Sequence, residues 1–179
     1  MSLKVLTVMD EFARDGRALE VATSLPSPRL MAVLERLVTT YGAPKFIRRD
    51  HGPEFIALAV RGWLAQHQMV TLDIDPGGPW QNGYGERFNG TGRDECLNRP
   101  VLQSVAEARV VLAAYRRQDH EERPHSSLSY RTPAEFTRDW LARPSSGVGL
   151  EHFHWPKLLG ACQSQMRHDS PPLSTPPLR

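Results

Sequence analysis

Thirty-five residues lie between Asp50 and Glu86, two acidic residues set in distinctive local contexts. Asp50 closes a short apolar run and opens "DHGPEF", whereas Glu86 follows the turn-rich "PGGPWQNGYG" and begins "ERFNGTGRDECLN". Cutting or joining a phosphodiester needs a deprotonated attacking oxygen, a neutralised leaving oxygen and an open line of approach to phosphorus. Two Mg²⁺ ions about 3.5–4 Å apart meet all three needs. Carboxylates hold such ions because Mg²⁺ prefers hard oxygen ligands and keeps several waters. A carboxylate at a strand end and another on a helix can converge on one metal site. Spacing alone does not single out this pair, since most acidic pairs are surface charges; the surrounding sequence does.

The elements that must position these residues read as alternating strands and helices. "LKVLTVMD" at 3–10 is a nearly continuous apolar run, the pattern of a buried strand. "EFARDGR" supplies turn chemistry, and "ALEVAT" alternates like the returning strand of a hairpin. Ser27 is placed to cap a first helix, with Pro28 at its first position, Leu30, Leu34, Leu37 and Tyr41 inward, and Gly42 closing it. "KFIRRD" at 45–50 is a short strand. A second helix is expected over about 55–67, with Ile56, Val60, Trp63 and Leu64 on one face, and another strand at 70–75.

A helix carrying Glu86 is expected from about Asn82, weakened by Gly83, Gly85, Gly90 and Gly92. Ser104 with Glu107, and Thr132 with Glu135, have capping-box spacing and open two further helices. The first turns Val105, Ala108, Leu112 and Tyr115 inward. The second leads into Phe136 and Trp140, and Trp63 and Trp140 are assigned to the core by spacing. Beyond about residue 142, prolines and serines replace periodicity, so 142–179 is expected to be a largely disordered tail with at most an ordered patch near Phe153 and Trp155. Residues 1–141 then form one α/β domain with a mixed sheet, hairpin first. No internal repeats occur.

At 179 residues the chain can hold one domain with a real core and has little room for a second, and its 40% hydrophobic content is ordinary for a soluble globular protein. No run approaches eighteen apolar residues, which excludes a helical membrane span. The opening "MSLKVLTVMDEF" lacks the zones of a secretion signal, and Cys96 and Cys162 read as free thiols of a reducing cytoplasm. A net charge of +2 does not announce a nucleic-acid binder by itself. Eight arginines from Arg87 to Arg131 nevertheless follow Glu86, interleaved with acids; they fit DNA contact or a solvated helix surface equally well. Trp80 and Tyr84 fit base stacking or the packing of a glycine-rich loop. His152, His154 and Cys162 match no common metal-ligand spacing, and His120 and His125 read as helix-end and turn residues.

"RRDHGPEF", "PGGPWQNGYGERFNG", "RDECLN" and "RPHSSLSYRTPAEF" closely resemble, in order and spacing, the integrase core of bacterial insertion-sequence transposases, relatives of retroviral integrases. The resemblance runs from about Leu3 to Trp140. It implies a ribonuclease H-like fold, a metal triad of two aspartates and a glutamate, and DNA strand transfer with Mg²⁺ or Mn²⁺. By position, Asp50 matches the second aspartate and Glu86 the glutamate, making both catalytic metal ligands. Arg93 matches the basic residue expected to contact DNA, and Asn89 is carried over as a second contact. Residues seven apart on a helix share a face, which sets Arg93 beside Glu86. Implied partners are DNA and a further copy of the chain or a full-length transposase, in the cytoplasm and without a membrane.

The departures from that pattern shape the expectations. The first aspartate of the family lies on a strand preceding the one matched by "LKVLTVMDEF", and the chain begins too late to contain it. Asp10 is the tempting substitute as a metal ligand, but it matches a different acidic position, at the end of the second strand, which favours a hairpin-end or structural role over metal binding. His51 stands where relatives usually carry asparagine, and Arg87 where they usually carry serine. Without the first strand the sheet centre is expected to have a gap, leaving the 3–23 hairpin to close sideways onto the Asp50 strand or to pack poorly. Whether the chain is an active strand transferase or a non-catalytic DNA-binding or transposase-associating fragment stays open on the sequence.

Overall fold

The computed structural model describes residues 2–49, 57–73, 83–97, 104–143 and 158–167. Strand β1 (Ser2–Asp10) turns back through a tight loop into β2 (Asp15–Ala22). Helix α1 (Ser27–Tyr41), β3 (Phe46–Arg49), α2 (Leu58–Gln66) and β4 (Val70–Asp73) follow. Next come α3 (Gly83–Gly92), which widens into a π turn over Arg93–Leu97, and the long α4 (Val105–Glu121). A 3-10 turn at Ser126–Leu128, α5 (Pro133–Leu141) and β5 (Leu158–Arg167) complete the described elements.

The sheet has five strands in the order β2-β1-β5-β3-β4. β5 runs antiparallel to β1 over nine register pairs, from Ser2↔Arg167 to Asp10↔Leu159, and parallel to β3 from Phe46↔Leu158 to Arg49↔Ala161. The expected gap is therefore overturned: the hairpin neither closes directly onto β3 nor hangs loose, because β5 lies between β1 and β3. The sequence assigned no strand beyond residue 142, and Leu158–Arg167 corrects that reading. Phe153 and Trp155 lie outside the described residues.

β1 is buried on both faces, which is why its sequence is mostly apolar rather than alternating. Leu6 and Val8 pack with Leu30, Leu34 and Leu37 of α1 and with Val60 and Leu64 of α2. Leu3, Val5 and Met9 face the other way, onto Phe88 of α3 and Ala108, Leu112 and Tyr115 of α4. The sheet is thus covered by helices on each side.

Local signals mostly hold, with two exchanges. Thr132 and Glu135 form the full capping box, with Pro133 in the first turn, and the Ser104 side chain accepts from the Glu107 N–H at 3.1 Å. Gly42 ends α1 at φ 84°, a left-handed value that favours glycine. Pro26, not Ser27, occupies the N-cap of α1, so Ser27 is already helical. Trp140 is not core: it is exposed on α5, with its ring edge-on to Phe12 of the hairpin turn at 4.9 Å. Trp63 is half-buried against the core and donates its indole N–H to Glu35 at 2.9 Å.

Candidate active site

α3 carries the residues singled out by the sequence, and its two sides are made differently. Gly85, Phe88, Asn89 and Gly92 are buried, a stripe of three- and four-residue spacing that holds the helix to the sheet and α4. Asn89 accepts a 2.6 Å hydrogen bond from the Thr7 hydroxyl, both groups buried, which fixes α3 over the middle of β1. Tyr115 of α4 donates its phenol to the Phe88 carbonyl at 3.0 Å. Burial pushes that phenol well above its ordinary pKa, so it remains a donor. Gly92 permits this closeness, since a Cβ there would stand 3.1 Å from the Tyr115 ring.

The opposite side of α3 is open. Glu86, Arg87 and Arg93 are exposed, and none has a hydrogen-bond or ion-pair partner among the described residues. Between Glu86 and Arg93 lies Gly90, where a Cβ would meet none of the described atoms within 4 Å. The structure therefore brings Glu86 and Arg93 to one outer face, but turns Asn89 inward onto Thr7.

Asp50, the other carboxylate singled out by the sequence, lies outside the described residues, as do His51 and Trp80. The register does describe the strand that leads to it. Arg49, the last residue of β3, pairs with Ala161 of β5, and Ala161 pairs with Val8 of β1. Val8 is next to Thr7, which holds α3. The C-terminal end of β3 thus stands level with the anchor of α3, two strand spacings or about 10 Å across the sheet. As a fit to Mg²⁺, Glu86 offers a carboxylate uncommitted among the described residues, the hard donor that this ion requires. Among the described residues no group of three His, Cys, Asp or Glu could hold a metal.

Asp10 is committed elsewhere. It is fully buried and accepts from the Phe12 and Ala13 N–H groups at 2.9 and 3.1 Å, shaping the hairpin turn. Arg17 bridges Asp10 at 3.0 Å and Asp15 at 2.8 Å. Burial raises the Asp10 pKa despite these partners. This is the structural role expected from the sequence. Thr7 and Tyr115, which position α3, were not recognised as positioning residues; a lone threonine inside "LKVLTVMD" was the available signal for the first.

Residues 67–133 match the integrase core domain family. An uncharacterized protein of insertion element IS476 from Xanthomonas euvesicatoria is 39% identical over 146 residues, covering 82% of this chain and 42% of that protein. The chain belongs to the integrase core family of insertion elements. This integrase core is also 40% identical over 134 residues to an uncharacterized protein of insertion element IS407 from Burkholderia multivorans, covering 75% of the chain and 48% of the relative. It spans less than half the length of each of these two relatives.

Solved structures share the fold of this integrase core at low identity. The HTLV-2 integrase catalytic core domain in complex with magnesium, in its trimeric form, matches with a TM-score of 0.55 and 17% identity over 73% of this chain and 82% of that one. The BIV integrase catalytic core matches at 0.54 and 14%, over 77% of this chain and 88% of that one. A chain of a simian T-cell lymphotropic virus intasome matches at 0.60 and 15%, over 80% and 50%. The fold is accordingly the ribonuclease H-like α/β fold of integrase cores. Among the described residues no helix is long and apolar enough to cross a membrane.

Proposed function

We propose that this integrase core acts on DNA in transposition, by phosphoryl transfer at a Mg²⁺ or Mn²⁺ site held by Asp50 and Glu86. The observation that carries this reading is the outer face of α3, where a carboxylate and a guanidinium stand exposed, without a partner among the described residues, on a helix fixed level with Arg49 at the end of β3. Family membership and a structural neighbour bound to magnesium support it. A bound metal would neutralise charge developing on the phosphoryl oxygens and lower the pKa of an attacking water or 3′-hydroxyl. Arg93, and not a metal ligand, would hold a backbone phosphate; Thr7, Asn89 and Tyr115 would keep α3 in place. Self-association, or association with a longer transposase, is part of the same reading, given relatives more than twice as long as the matched segment and an intasome among the neighbours.

A second reading has its own observation. β5, the strand beside β3, has the sequence LLGACQSQMR and contains no carboxylate. If no other segment supplies a third acidic ligand, the chain binds DNA or a transposase without chemistry. Strand-transfer assays on a terminal-repeat substrate with Mg²⁺ or Mn²⁺ separate the two. The first reading expects activity that Asp50→Ala and Glu86→Ala each abolish, with Glu86→Ala changing folding stability by less than about 0.5 kcal/mol because the side chain is exposed and has no partner among the described residues. Activity unchanged in Asp50→Ala would sink the metal assignment. Salt-sensitive DNA binding without activity selects the second reading.

A further inference from the structure

A cavity of about 240 Å³ opens on the flank of α3 away from Glu86, between α3, the end of α4 and the loop that follows it. Arg87 lines it from α3, one residue after Glu86, and has no partner among the described residues. Arg14 enters from the hairpin turn, its guanidinium stacked 3.2 Å from the Tyr84 ring centroid at the cavity wall. Ser126 and Ser127 bring two exposed hydroxyls from the 3-10 turn.

The fourth side is already balanced. The Asp119 carboxylate contacts Arg123 and His125, each at 3.5 Å, and Arg123 also bonds Glu95 at 2.5 Å. The lining therefore carries an excess of positive charge at Arg14 and Arg87, next to hydroxyl donors. Guanidinium forks and hydroxyls are the donor set that recognises tetrahedral phosphate oxygens. The volume is below that of an ordinary ligand pocket, about 300–1,000 Å³, and suits one phosphate with part of its sugar.

We infer that this cavity is a second phosphate-binding subsite, taking a backbone phosphate of a DNA strand that crosses α3 from the Glu86–Arg93 face. The inference rests on the DNA reading above. A helix is about 10–12 Å wide with its side chains, so a strand crossing it spans the distance between Arg93 and Arg87 in a few nucleotides. Arg87 and the two serines bind the phosphate. Arg14, braced by Tyr84, supplies charge at the wall, and Arg123 holds the loop that presents the serines.

The test measures DNA affinity by fluorescence anisotropy across a salt series, for duplex and single-stranded DNA. It compares the wild type, Arg87→Ala, the Ser126→Ala/Ser127→Ala double variant and Arg93→Ala. Loss of one phosphate contact is expected to weaken duplex binding about three- to tenfold and to reduce the slope of log K against log salt by about 0.9. Unfolding curves matching wild type confirm that Arg87→Ala folds, as a side chain that is exposed and without a partner among the described residues predicts. An unchanged slope in Arg87→Ala, alongside a reduced slope in Arg93→Ala, overturns the subsite and leaves the DNA reading intact. Failure of the wild type to bind DNA at low salt sinks the DNA reading and the crossing strand with it. Inorganic phosphate, titrated while the Arg87 Nε–H resonance is followed, separates the remaining sources. Saturable shifts lost in the double serine variant, without DNA binding, would assign the cavity to free phosphate and overturn the strand proposal.

Discussion

Two groups of charged side chains lie on opposite terms with the same fold. At the hairpin end, Asp10, Asp15 and Arg17 are almost wholly buried, and Arg17 bridges both acids. Asp15 also meets His120 of α4 at 2.9 Å, and Arg116 of α4 donates to the Gly16 carbonyl. These contacts tie the edge of the sheet to a helix on its face. On the outside of α3, Glu86, Arg87 and Arg93 have no such partner among the described residues. A buried charge without a partner is costly, so the first group is paired of necessity and its geometry explains itself. The second group is solvated and contributes little to folding, which leaves it free to meet a ligand. The difference separates charges that specify the fold from charges available for function.

The strongest way to break the comparison is to remove what both groups depend on. Deleting residues 144–179 takes away β5, which pairs with β1 along nine positions and with β3 along four. Two strand edges would be left unpaired in the middle of the sheet, beneath apolar side chains. The expected loss exceeds the stability of an ordinary domain, about 5–15 kcal/mol, so the shortened chain should show no cooperative unfolding in urea followed by circular dichroism. A shortened chain that unfolds cooperatively with wild-type stability would show that β5 is dispensable to the sheet.

That strand was also the least legible part of the sequence. Leu158–Arg167 has no β-branched residue, a glycine near its start and proline-rich surroundings, so nothing local announces it. Its place comes from non-local pairing with β1 and β3. β1 was legible because burial on both faces writes a nearly continuous apolar run, and the α5 capping box because its two bonds join residues three apart. Trp140 was misread because helical spacing reports a face but not what covers it; its partner is a hairpin-turn phenylalanine far away in sequence. For the site, residue types and order pointed to Glu86 and Arg93 on one face. Asn89 was expected to face DNA, yet it continues the buried stripe of Gly85, Phe88 and Gly92 and bonds to Thr7.

A smaller effect sharpens the paired side of the contrast through pH. Contact with Asp15 raises the His120 pKa above the ordinary 6.5, so the imidazolium is favoured in the folded state. Its stabilisation is fully present below pH 6.5 and fades as pH rises through the raised value. Burial alone would raise the pKa of Asp15, but His120 contact and the charges of Arg17 and Arg116 together hold it below the ordinary 3.8. Its contribution is present above pH 3.8 and is lost as pH falls through the lowered value. The pair is therefore at full strength between these limits, while Asp10, raised by burial, acts in the opposite sense in acid. Between pH 6 and 9 the wild type should lose about 1 kcal/mol of this contact. His120→Gln should be less stable at pH 6 and flatter with pH, measured as urea midpoints. A wild-type midpoint that does not fall over that range removes His120 from the network.

The finest test lies on the open side, at Gly90. Glycine inside a helix costs about 0.8–1.0 kcal/mol relative to alanine, and a Cβ here would meet none of the described atoms within 4 Å. Considered as folding alone, Gly90→Ala should raise stability by a few tenths to about 1 kcal/mol. The same methyl group would stand between Glu86 and Arg93, on the face proposed to receive a DNA strand. Close approach of a ligand to backbone is a reason for glycine to persist where alanine folds better. The expected result is thus a split: a higher urea midpoint together with a two- to fivefold weaker DNA affinity, on the order of 0.5–1 kcal/mol. If both stability and affinity rise, the glycine reflects no contact, and the strand does not pass over this part of α3. If affinity falls while Arg87→Ala has no effect, binding belongs to the Glu86 side of the helix alone. Either outcome divides the unpaired charges into those that meet DNA and those that are merely solvated.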